Sequence, residues 1–207
     1  MATARTRTSD ALGGASDAEF GSAAQRERRK RILDATLALA SKGGYDAVQM
    51  RTVAERADVA LGTLYRYFPS KIHLLVSALT LEFERTQERL DRGPIPGGTP
   101  YDRMLYVLSL VTRTMQREPM LTEAMTRAFM FADQSAAAEV NTVARQMERM
   151  FARAMHDDGA EPTADDIAIA RVIGDVWLSN LVAWVTRRAS ADDVSSHLEL
   201  AARLLLR

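Results

Sequence analysis

The chain has 207 residues, 27 basic and 27 acidic side chains and no cysteine. This length corresponds to one domain, or to a small domain joined to a larger one. The absence of cysteine excludes a disulfide scaffold, a thiol nucleophile and cysteine-ligated zinc, and the zero net charge excludes a protein that coats nucleic acid without specificity. The three histidines are scattered and no apolar export signal follows the first basic residues. We therefore expect a cytoplasmic protein without a metal or a cofactor.

Helical periodicity continues through most of the chain, and no segment alternates with the period of a strand. Residues 1–23 are small and polar without periodicity, which predicts a disordered tail. Thr163 with Asp166 and Ser190 with Asp193 predict the starts of the last two helices. The predicted fold is all-α with nine helices, over residues 24–42, 50–57, 61–68, 70–92, 100–117, 119–132, 136–156, 164–188 and 191–206.

The most apolar stretch, residues 167–185, is interrupted by Arg171 and Asp175, which lie one helical turn apart. A membrane span requires about 20 predominantly apolar residues with few charges. We therefore interpret this stretch as a helix that is buried on more than one side.

Basic residues are concentrated near the start of the chain. Residues 24–71 contain ten Lys and Arg and five Asp and Glu, a net charge of +5. Residues 1–23 have a net charge of −1, which leaves residues 72–207 with −4. This distribution favours a small basic unit that faces phosphate and a larger unit that does not, although a solvated basic face accounts for the charge equally well.

Two short amphipathic helices follow one another in residues 48–71, VQMRTVAERADVALGTLYRYFPSK. Asp58 lies at the tight turn between them, where it tolerates a left-handed backbone better than most residues do. Leu64 and Phe68 form the buried side of the second helix. Two short helices after a basic helix predict a helix-turn-helix, whose second helix enters the major groove of DNA.

This segment resembles the DNA-binding part of the TetR family of bacterial repressors. The matching residues are Gly44, Tyr45, Val53, Ala54, Ala57, Val59, Gly62, Thr63, Leu64, Tyr65, Phe68 and Lys71. The resemblance implies a homodimer that binds a palindromic operator in double-stranded DNA, and a larger C-terminal domain whose small-molecule ligand weakens DNA binding. It divides the chain into the tail (1–23), a DNA-binding head (24–71) and a ligand-binding and dimerisation body (72–207).

Two positions depart from the family pattern. Asp58 stands where glycine is usual, and Ala60 stands where a small hydroxyl residue is usual. Ala60 forgoes a side-chain cap, which is typically worth about 1 kcal/mol.

The same resemblance implies particular contacts with DNA. Gly62 has no side chain and so allows a close approach of the backbone, while Thr63 reaches a base edge. Other roles remain open for some of these residues. The tyrosines can pack in the core, Gly62 can serve a turn, and Thr63 and Arg66 can simply be exposed to solvent. The expected DNA-contacting residues are Arg51, Thr52, Leu61, Gly62, Thr63, Tyr65, Arg66, Tyr67 and Lys71.

Methionine is concentrated in the body, where eight of the ten methionines lie between residues 104 and 155. A flexible, polarizable lining suits a bulky apolar ligand, although each single methionine also suits an ordinary core. We expect the ligand to act through the helix over residues 70–92, which joins the body to the head. The expected ligand-contacting residues are Met104, Leu108, Met115, Met120, Leu121, Met125, Arg127, Phe129, Met130, Met147, Phe151, Trp177, Asn180 and Trp184.

The last two predicted helices carry apolar residues on more than the one side that would pack against the rest of their own chain. Val194, Leu198, Ala201 and Leu205 give the final helix its own stripe. Together with a second copy of the chain these helices predict a four-helix dimer interface, the alternative being a core within one chain.

Within the TetR family, residues 24–35, 61–71, 121–133 and 175–184 are similar to actinobacterial repressors of cholesterol catabolism. This similarity implies control of sterol or lipid degradation genes and a steroid-derived effector such as a CoA thioester. A sensor of another lipid or of a drug-like molecule, and a helical lipid carrier that does not bind DNA, remain alternatives. No catalytic or nucleotide-binding signature is present, so we do not expect an enzyme.

Overall fold

The computed structural model describes residues 13–156 and 160–206, and the side chains from residue 23 onward. Over these residues the chain is helical without a strand, and the predicted all-α fold is confirmed. The nine α-helices within these described residues are α1 (Gly13–Ala47), α2 (Met50–Arg56), α3 (Leu61–Tyr67), α4 (Lys71–Leu90), α5 (Pro100–Arg117), α6 (Pro119–Met130), α7 (Ala137–Arg153), α8 (Ala164–Val185) and α9 (Ala191–Leu205), with a short 3-10 helix at Gln134–Ala136.

Helix α1 differs from the prediction at its beginning. The tail expected over residues 1–23 lies outside the described residues as far as residue 12, and from Gly13 onward the backbone is helical. Near its other end, α1 is interrupted at Gly43 and Gly44, the pair that predicted its end. Gly44 has a φ of 65°, which favours glycine.

The head is held together by small apolar contacts among its helices. Ile32 of α1, Val53 of α2 and Leu64 of α3 are fully buried. Asp58 adopts a φ of 52°, so the predicted left-handed turn between α2 and α3 is confirmed. Ala60 precedes α3 and makes no side-chain cap, because alanine has no polar side-chain atom.

In the core of the body, side chains of α4, α5 and α8 meet. The Phe83 ring meets the edge of the Trp177 ring, with 6.2 Å between ring centroids. The Trp177 indole donates a hydrogen bond of 3.1 Å to the Thr112 hydroxyl, which satisfies its one polar group in the interior. These contacts fix α4, α5 and α8 relative to one another.

Among the described residues, α8 is the one helix with the length and apolar composition of a membrane span, at a mean hydropathy of 1.4. Its Ile173, Trp177 and Leu181 side chains are buried against neighbouring helices. This burial agrees with a core helix, and the helix begins with the predicted capping box of Thr163 and Asp166.

Replacing Thr163 by alanine is expected to lower the free energy of unfolding by about 1 kcal/mol, because the cap at the start of α8 is lost. The Thr163 hydroxyl accepts the Asp166 N–H at 3.2 Å and donates to the Asp166 carboxylate at 2.6 Å. These hydrogen bonds, assisted by His156, hold the pKa of Asp166 below its usual value. A carboxyl group whose pKa is lowered by folding stabilises the protein near neutral pH and loses that contribution as the pH falls through its folded pKa.

Urea unfolding of the wild type and of Thr163→Ala at about pH 7 and about pH 3 measures this effect, and the variant should lose less stability on acidification. Thr142 is a matched control, since its hydroxyl donates only to the Ala138 carbonyl within α7. An equal loss in Thr163→Ala and Thr142→Ala at both pH values would refute the assignment.

Candidate nucleic-acid interface and effector pocket

Helix α3 presents a free surface at its beginning. Leu64 and Phe68 are buried and anchor the helix, whereas Leu61 and Tyr65 are 40% and 46% exposed. A Cβ atom added at Gly62 would meet no other atom within 4 Å. The first turn of α3 is therefore open to a close approach by a macromolecule.

The remaining residues predicted on this surface are placed less uniformly. Arg51 is exposed and forms an ion pair of 3.1 Å with Glu55, while Thr52 is half-buried beside it. Arg66 is exposed and donates a hydrogen bond of 3.4 Å to Thr63, which is half-buried. Both guanidinium groups can leave these weak exposed contacts at little cost.

Tyr67 lies closer to the core than to the free surface. It is half-buried and packs against the core, with 6.3 Å between its ring centroid and that of Phe68. The Arg29 guanidinium lies over the other ring of this pair, 5.7 Å from the Phe68 centroid. The basic run of α1 therefore lies next to the end of α3.

Lys71 lies at the junction of head and body. Its ammonium group lies 3.7 Å from the centroid of the Tyr45 ring, a cation–π contact. Burial lowers the pKa of Lys71, the Arg127 guanidinium lowers it further, and the Asp46 and Glu123 carboxylates raise it. A phosphate contact by Lys71 would require its ammonium group to leave this ring.

Helix α6 holds the same tyrosine from the body. The Tyr45 N–H donates to the Glu123 carboxylate at 3.2 Å, and the Arg127 guanidinium lies 4.4 Å from the ring centroid. A Cβ atom at Gly44 would come within 3.1 Å of Glu123 and Met120, so glycine permits this close approach. We call Tyr45, Lys71, Glu123 and Arg127 the junction cluster.

The body encloses two small cavities beside α6. One, of about 40 Å³, lies among α4, α5 and α6, and the other, of about 30 Å³, lies among α4 to α8. Both are lined by Phe83, Met115 and Met125. Since typical ligand pockets enclose about 300–1,000 Å³, these side chains must move before a large ligand is accommodated.

Six of the predicted ligand-contacting residues line one or both of these cavities. They are Met115, Leu121, Met125, Phe129, Met147 and Trp177.

Eight of the predicted ligand-contacting residues lie elsewhere. Met104, Leu108 and Phe151 are fully buried in the core away from the two cavities, while Met120 and Met130 are exposed on α6. Their residue types suit the lining of a pocket, but their side chains lie in the core or at the surface and not at a cavity.

The three polar or amphipathic residues of this group have other partners. Arg127 belongs to the junction cluster. Asn180 donates to the Val176 carbonyl within α8 and pairs with His197 of α9 at 2.9 Å. Trp184 is half-buried and lines a surface hollow at the turn between α8 and α9.

Sequence reasoning missed several residues that do line the cavities. Leu79 and Phe83 follow the helical spacing of α4, but that spacing indicates a core face as readily as a pocket wall. The additional lining residues include Leu79, Phe83, Thr126, Val143, Leu178 and Leu181.

The last two helices leave an apolar strip exposed, although not the predicted one. Val194 and Leu198 are 2% and 3% exposed, because they turn toward the core of their own chain. Val172, Leu200 and Leu204 are 47%, 43% and 58% exposed. Large apolar side chains grouped on two adjacent helices are typical of an interface.

Known proteins resemble the chain in both of its parts. Residues 32–78 match the family described as bacterial regulatory proteins, tetR family, and residues 97–205 match the tetracyclin repressor-like C-terminal domain. The HTH-type transcriptional repressor KstR of Mycolicibacterium smegmatis is 69% identical over 191 residues, which cover 92% of this chain and 93% of that protein.

Two solved structures extend the comparison. A TetR transcriptional regulator from Rhodococcus sp. RHA1 is 33% identical with a TM-score of 0.80, over 88% of this chain and 97% of that one. Thermus thermophilus FadR, solved in complex with lauroyl-CoA, shares the fold with a TM-score of 0.64 and 20% identity, over 86% and 93% of the two chains.

Proposed function

The chain belongs to the TetR family of bacterial regulatory proteins, and from this membership we propose that it binds a palindromic operator as a homodimer and is released by a small apolar effector. It is a DNA-binding transcriptional repressor and not an enzyme. The observation that carries the proposal is the open first turn of α3, on a helix that buried Leu64 anchors and whose last turn lies beside the basic residues 26–31 of α1. A bacterial repressor meets its operator DNA in the cytoplasm, so a cytoplasmic location is part of this proposal.

In this proposal α3 enters the major groove with its first turn toward the base edges. Leu61, Gly62 and Thr63 read the bases, since the N-terminal residues of a recognition helix lie deepest in the groove. Arg51, Thr52, Tyr65 and Arg66 hold the phosphates on either side. Phosphate contacts release counterions, so the affinity should fall steeply as the salt concentration rises.

The exposed strip of Val172, Leu200 and Leu204 supports a dimer through α8 and α9. A twofold axis brings the same strip from both copies together and forms a four-helix interface. The two heads would then match half-sites that lie about one DNA turn, roughly 34–36 Å, apart.

Replacing Leu204 by glutamate is expected to convert the dimer into a monomer, because an unpaired charge would be buried in the proposed interface. Sedimentation velocity measures the change directly. Tyr65→Glu is the matched control, since Tyr65 is 46% exposed on the head and should lose DNA binding but not dimerisation. A dimeric Leu204→Glu protein would place the interface elsewhere.

The proposed effector is a steroid-derived molecule such as a CoA thioester, and the proposed targets are genes of sterol or lipid degradation. Support comes from the 69% identity to a KstR repressor and from the acyl-CoA bound to a FadR of the same fold. The methionines that line the two cavities are flexible enough to repack around a rigid apolar body.

The junction cluster provides a second route from the pocket to the head, besides α4. Met125 and Thr126 of α6 line the apolar cavity, whereas Glu123 and Arg127 of the same helix hold Tyr45. α1 packs more extensively against α6 than against α4. A ligand that displaces α6 would therefore move the head, provided that it binds the two states with different affinity.

A duplex-shift titration against DNA upstream of the protein's own coding region tests the proposal. We expect a palindromic fragment to be retarded at physiological salt and to be released by steroid CoA thioesters. Release by fatty acyl-CoA alone would indicate a different lipid effector. Equal binding of the palindrome and of random duplex would contradict the proposed function.

A further inference from the structure

A buried histidine lies in the first turn of α4, outside the junction cluster and outside the walls of the two cavities. This residue, His73, is 7% exposed. Its Nε2 atom lies 3.0 Å from the Ser135 carbonyl oxygen, and its Nδ1 atom lies 2.9 Å from the Ser70 hydroxyl. The ring therefore joins the start of α4 to a segment that is 62 residues away in the sequence.

The two partners define the role of each ring nitrogen. A carbonyl oxygen only accepts, so Nε2 carries the hydrogen that is donated to Ser135. In the neutral ring Nδ1 is then an acceptor, and the Ser70 hydroxyl donates to it. Ser70 is also the N-cap of α4, where its hydroxyl oxygen accepts the His73 N–H at 3.5 Å. Since both ring nitrogens have a partner, the orientation of the ring is fixed.

The carbonyl that accepts from His73 belongs to the 3-10 helix between α6 and α7. The Asp133 carboxylate caps this short helix, since it accepts the Ser135 N–H at 2.9 Å and the Ser135 hydroxyl at 2.5 Å. These hydrogen bonds hold the pKa of Asp133 below its usual value. Ala136 in the same turn is fully buried. The 3-10 helix is therefore an ordered partner for His73.

This hydrogen bond connects the moving parts of the body with the head. Phe129 of α6 and Val143 of α7 line the cavity that lies among α4 to α8, and Ser135 lies between them in the chain. On the other side of the bond, only residues 68–70 separate α4 from α3. A displacement of α6 or α7 that carries the Ser135 carbonyl beyond about 3.5 Å from Nε2 breaks the bond.

We propose that His73 is a positioning residue for operator binding, and that its hydrogen bond to Ser135 holds the first turn of α4 and the attached head in the orientation that binds DNA. The bond is present in the state with small cavities and is lost in the state that takes up the effector. It acts through a contact separate from those of the junction cluster. This inference rests on the proposed function that effector uptake releases the head, and it adds a residue that sets the balance between the two states.

Thermodynamic linkage gives this role a property that a purely structural role lacks. If the bond exists in only one of two states, its loss lowers the affinity for the operator and raises the affinity for the effector. The product of the two fold-changes equals the factor by which the bond favours the DNA-binding state. That factor should be about fivefold per subunit, as for one intramolecular hydrogen bond. A substitution that only weakens the fold would not raise the affinity for either ligand.

Two substitutions separate the bond to Ser135 from the contact with Ser70. His73→Gln places an amide nitrogen near the position of Nε2 and so keeps a donor for the Ser135 carbonyl. His73→Asn has a shorter side chain, which keeps a polar group beside Ser70 but does not reach Ser135. On the full-length chain, fluorescence anisotropy measures operator affinity without effector. Calorimetry measures the affinity for stearoyl-CoA and for cholyl-CoA, a steroid thioester.

We expect His73→Asn to bind the operator more weakly and a thioester more tightly, with a product of about fivefold, and His73→Gln to resemble the wild type. Thr80→Val is the matched control, because the buried Thr80 hydroxyl donates to the Val76 carbonyl within α4 at 3.3 Å. It should leave both affinities unchanged. Asp133→Ala loosens the 3-10 helix from an exposed position and should act in the same direction as His73→Asn. It preserves the test if circular dichroism shows that His73→Asn is not folded.

The outcomes separate this inference from the proposed function. Unchanged affinities in His73→Asn and Asp133→Ala, a joint loss of both affinities, or an equal effect of His73→Gln and His73→Asn would overturn the role of His73 and leave the proposed function standing. A wild type that does not prefer the palindrome to random duplex would contradict both. If the wild type binds the operator but neither thioester, the proposed effector class is wrong. A loss of operator affinity in His73→Asn that His73→Gln restores would then still support the positioning role, and equal operator affinities would overturn it.

Discussion

Replacing Gly62 by glutamine is expected to lower operator affinity about 100-fold or more, the equivalent of losing two base or phosphate contacts. In the free protein the new side chain projects into open space, since a Cβ atom there meets nothing within 4 Å. The substitution should raise the free energy of unfolding by roughly 0.5–1 kcal/mol, because glycine is unfavourable inside a helix. Function and stability should therefore change in opposite directions.

Fluorescence anisotropy with labelled operator measures the affinity, and urea unfolding measures the stability. Gly93→Gln is the matched control, because Gly93 also has open space around its Cβ position but lies outside the head. It should bind the operator as the wild type does. Wild-type affinity in Gly62→Gln would show that the first turn of α3 does not approach DNA.

Arg127→Leu is expected to uncouple the effector from the operator. The substitution removes the guanidinium that lies 4.4 Å from the Tyr45 ring centroid, and with it the contacts to Glu123 and Asp46 at 3.8 and 3.9 Å. The cavity walls lie on another face of α6 and remain intact. Coupling energies between sites are commonly about 1–3 kcal/mol, so the effector-induced loss of operator affinity should shrink by about fivefold to 150-fold.

Three measurements are needed for this variant: operator affinity, effector affinity, and operator affinity with saturating effector. The first should change little and the third should approach the first. Arg145→Leu on α7 is the control, because within the described part of the chain the Arg145 guanidinium donates a hydrogen bond only to Thr142 of its own helix. A full effector response in Arg127→Leu would show that the effector acts on the head through α4 alone.

Features that depend on a few neighbouring residues were predictable from the sequence. The capping boxes at Thr163 and Ser190, the left-handed turn at Asp58 and the interruption at the glycine pair each follow from local backbone chemistry. Most helix boundaries were predictable because glycine, proline and capping residues separate the periodic segments. The start of α1 is the exception, since its first residues carry no helical periodicity.

Contacts between distant residues were not predictable from the sequence. The junction cluster joins residues 45, 71, 123 and 127, and nothing in their local spacing indicates that they meet. Lys71 was among the expected DNA-contacting residues, yet its ammonium group lies on the Tyr45 ring.

The methionine-rich composition indicated that the interior of the body is adaptable. It did not indicate which side chains face a cavity. Met125 lines both cavities, whereas Met130 on the same helix is 52% exposed. On α9 the stripe of Val194 and Leu198 was recognised, but its direction toward the core depended on the position of α5 and α8. A periodic stripe shows that a helix has an apolar side, and tertiary packing decides what covers it.

We propose that two copies of α3, fixed by one dimer, read two half-sites on the same face of DNA. Operator variants with inserted base pairs test it most directly, by anisotropy at fixed salt. An insertion of about half a helical turn, near 5 base pairs, turns the half-sites to opposite faces and should lower the affinity to that of random duplex. Affinity that is independent of this spacing would contradict the account.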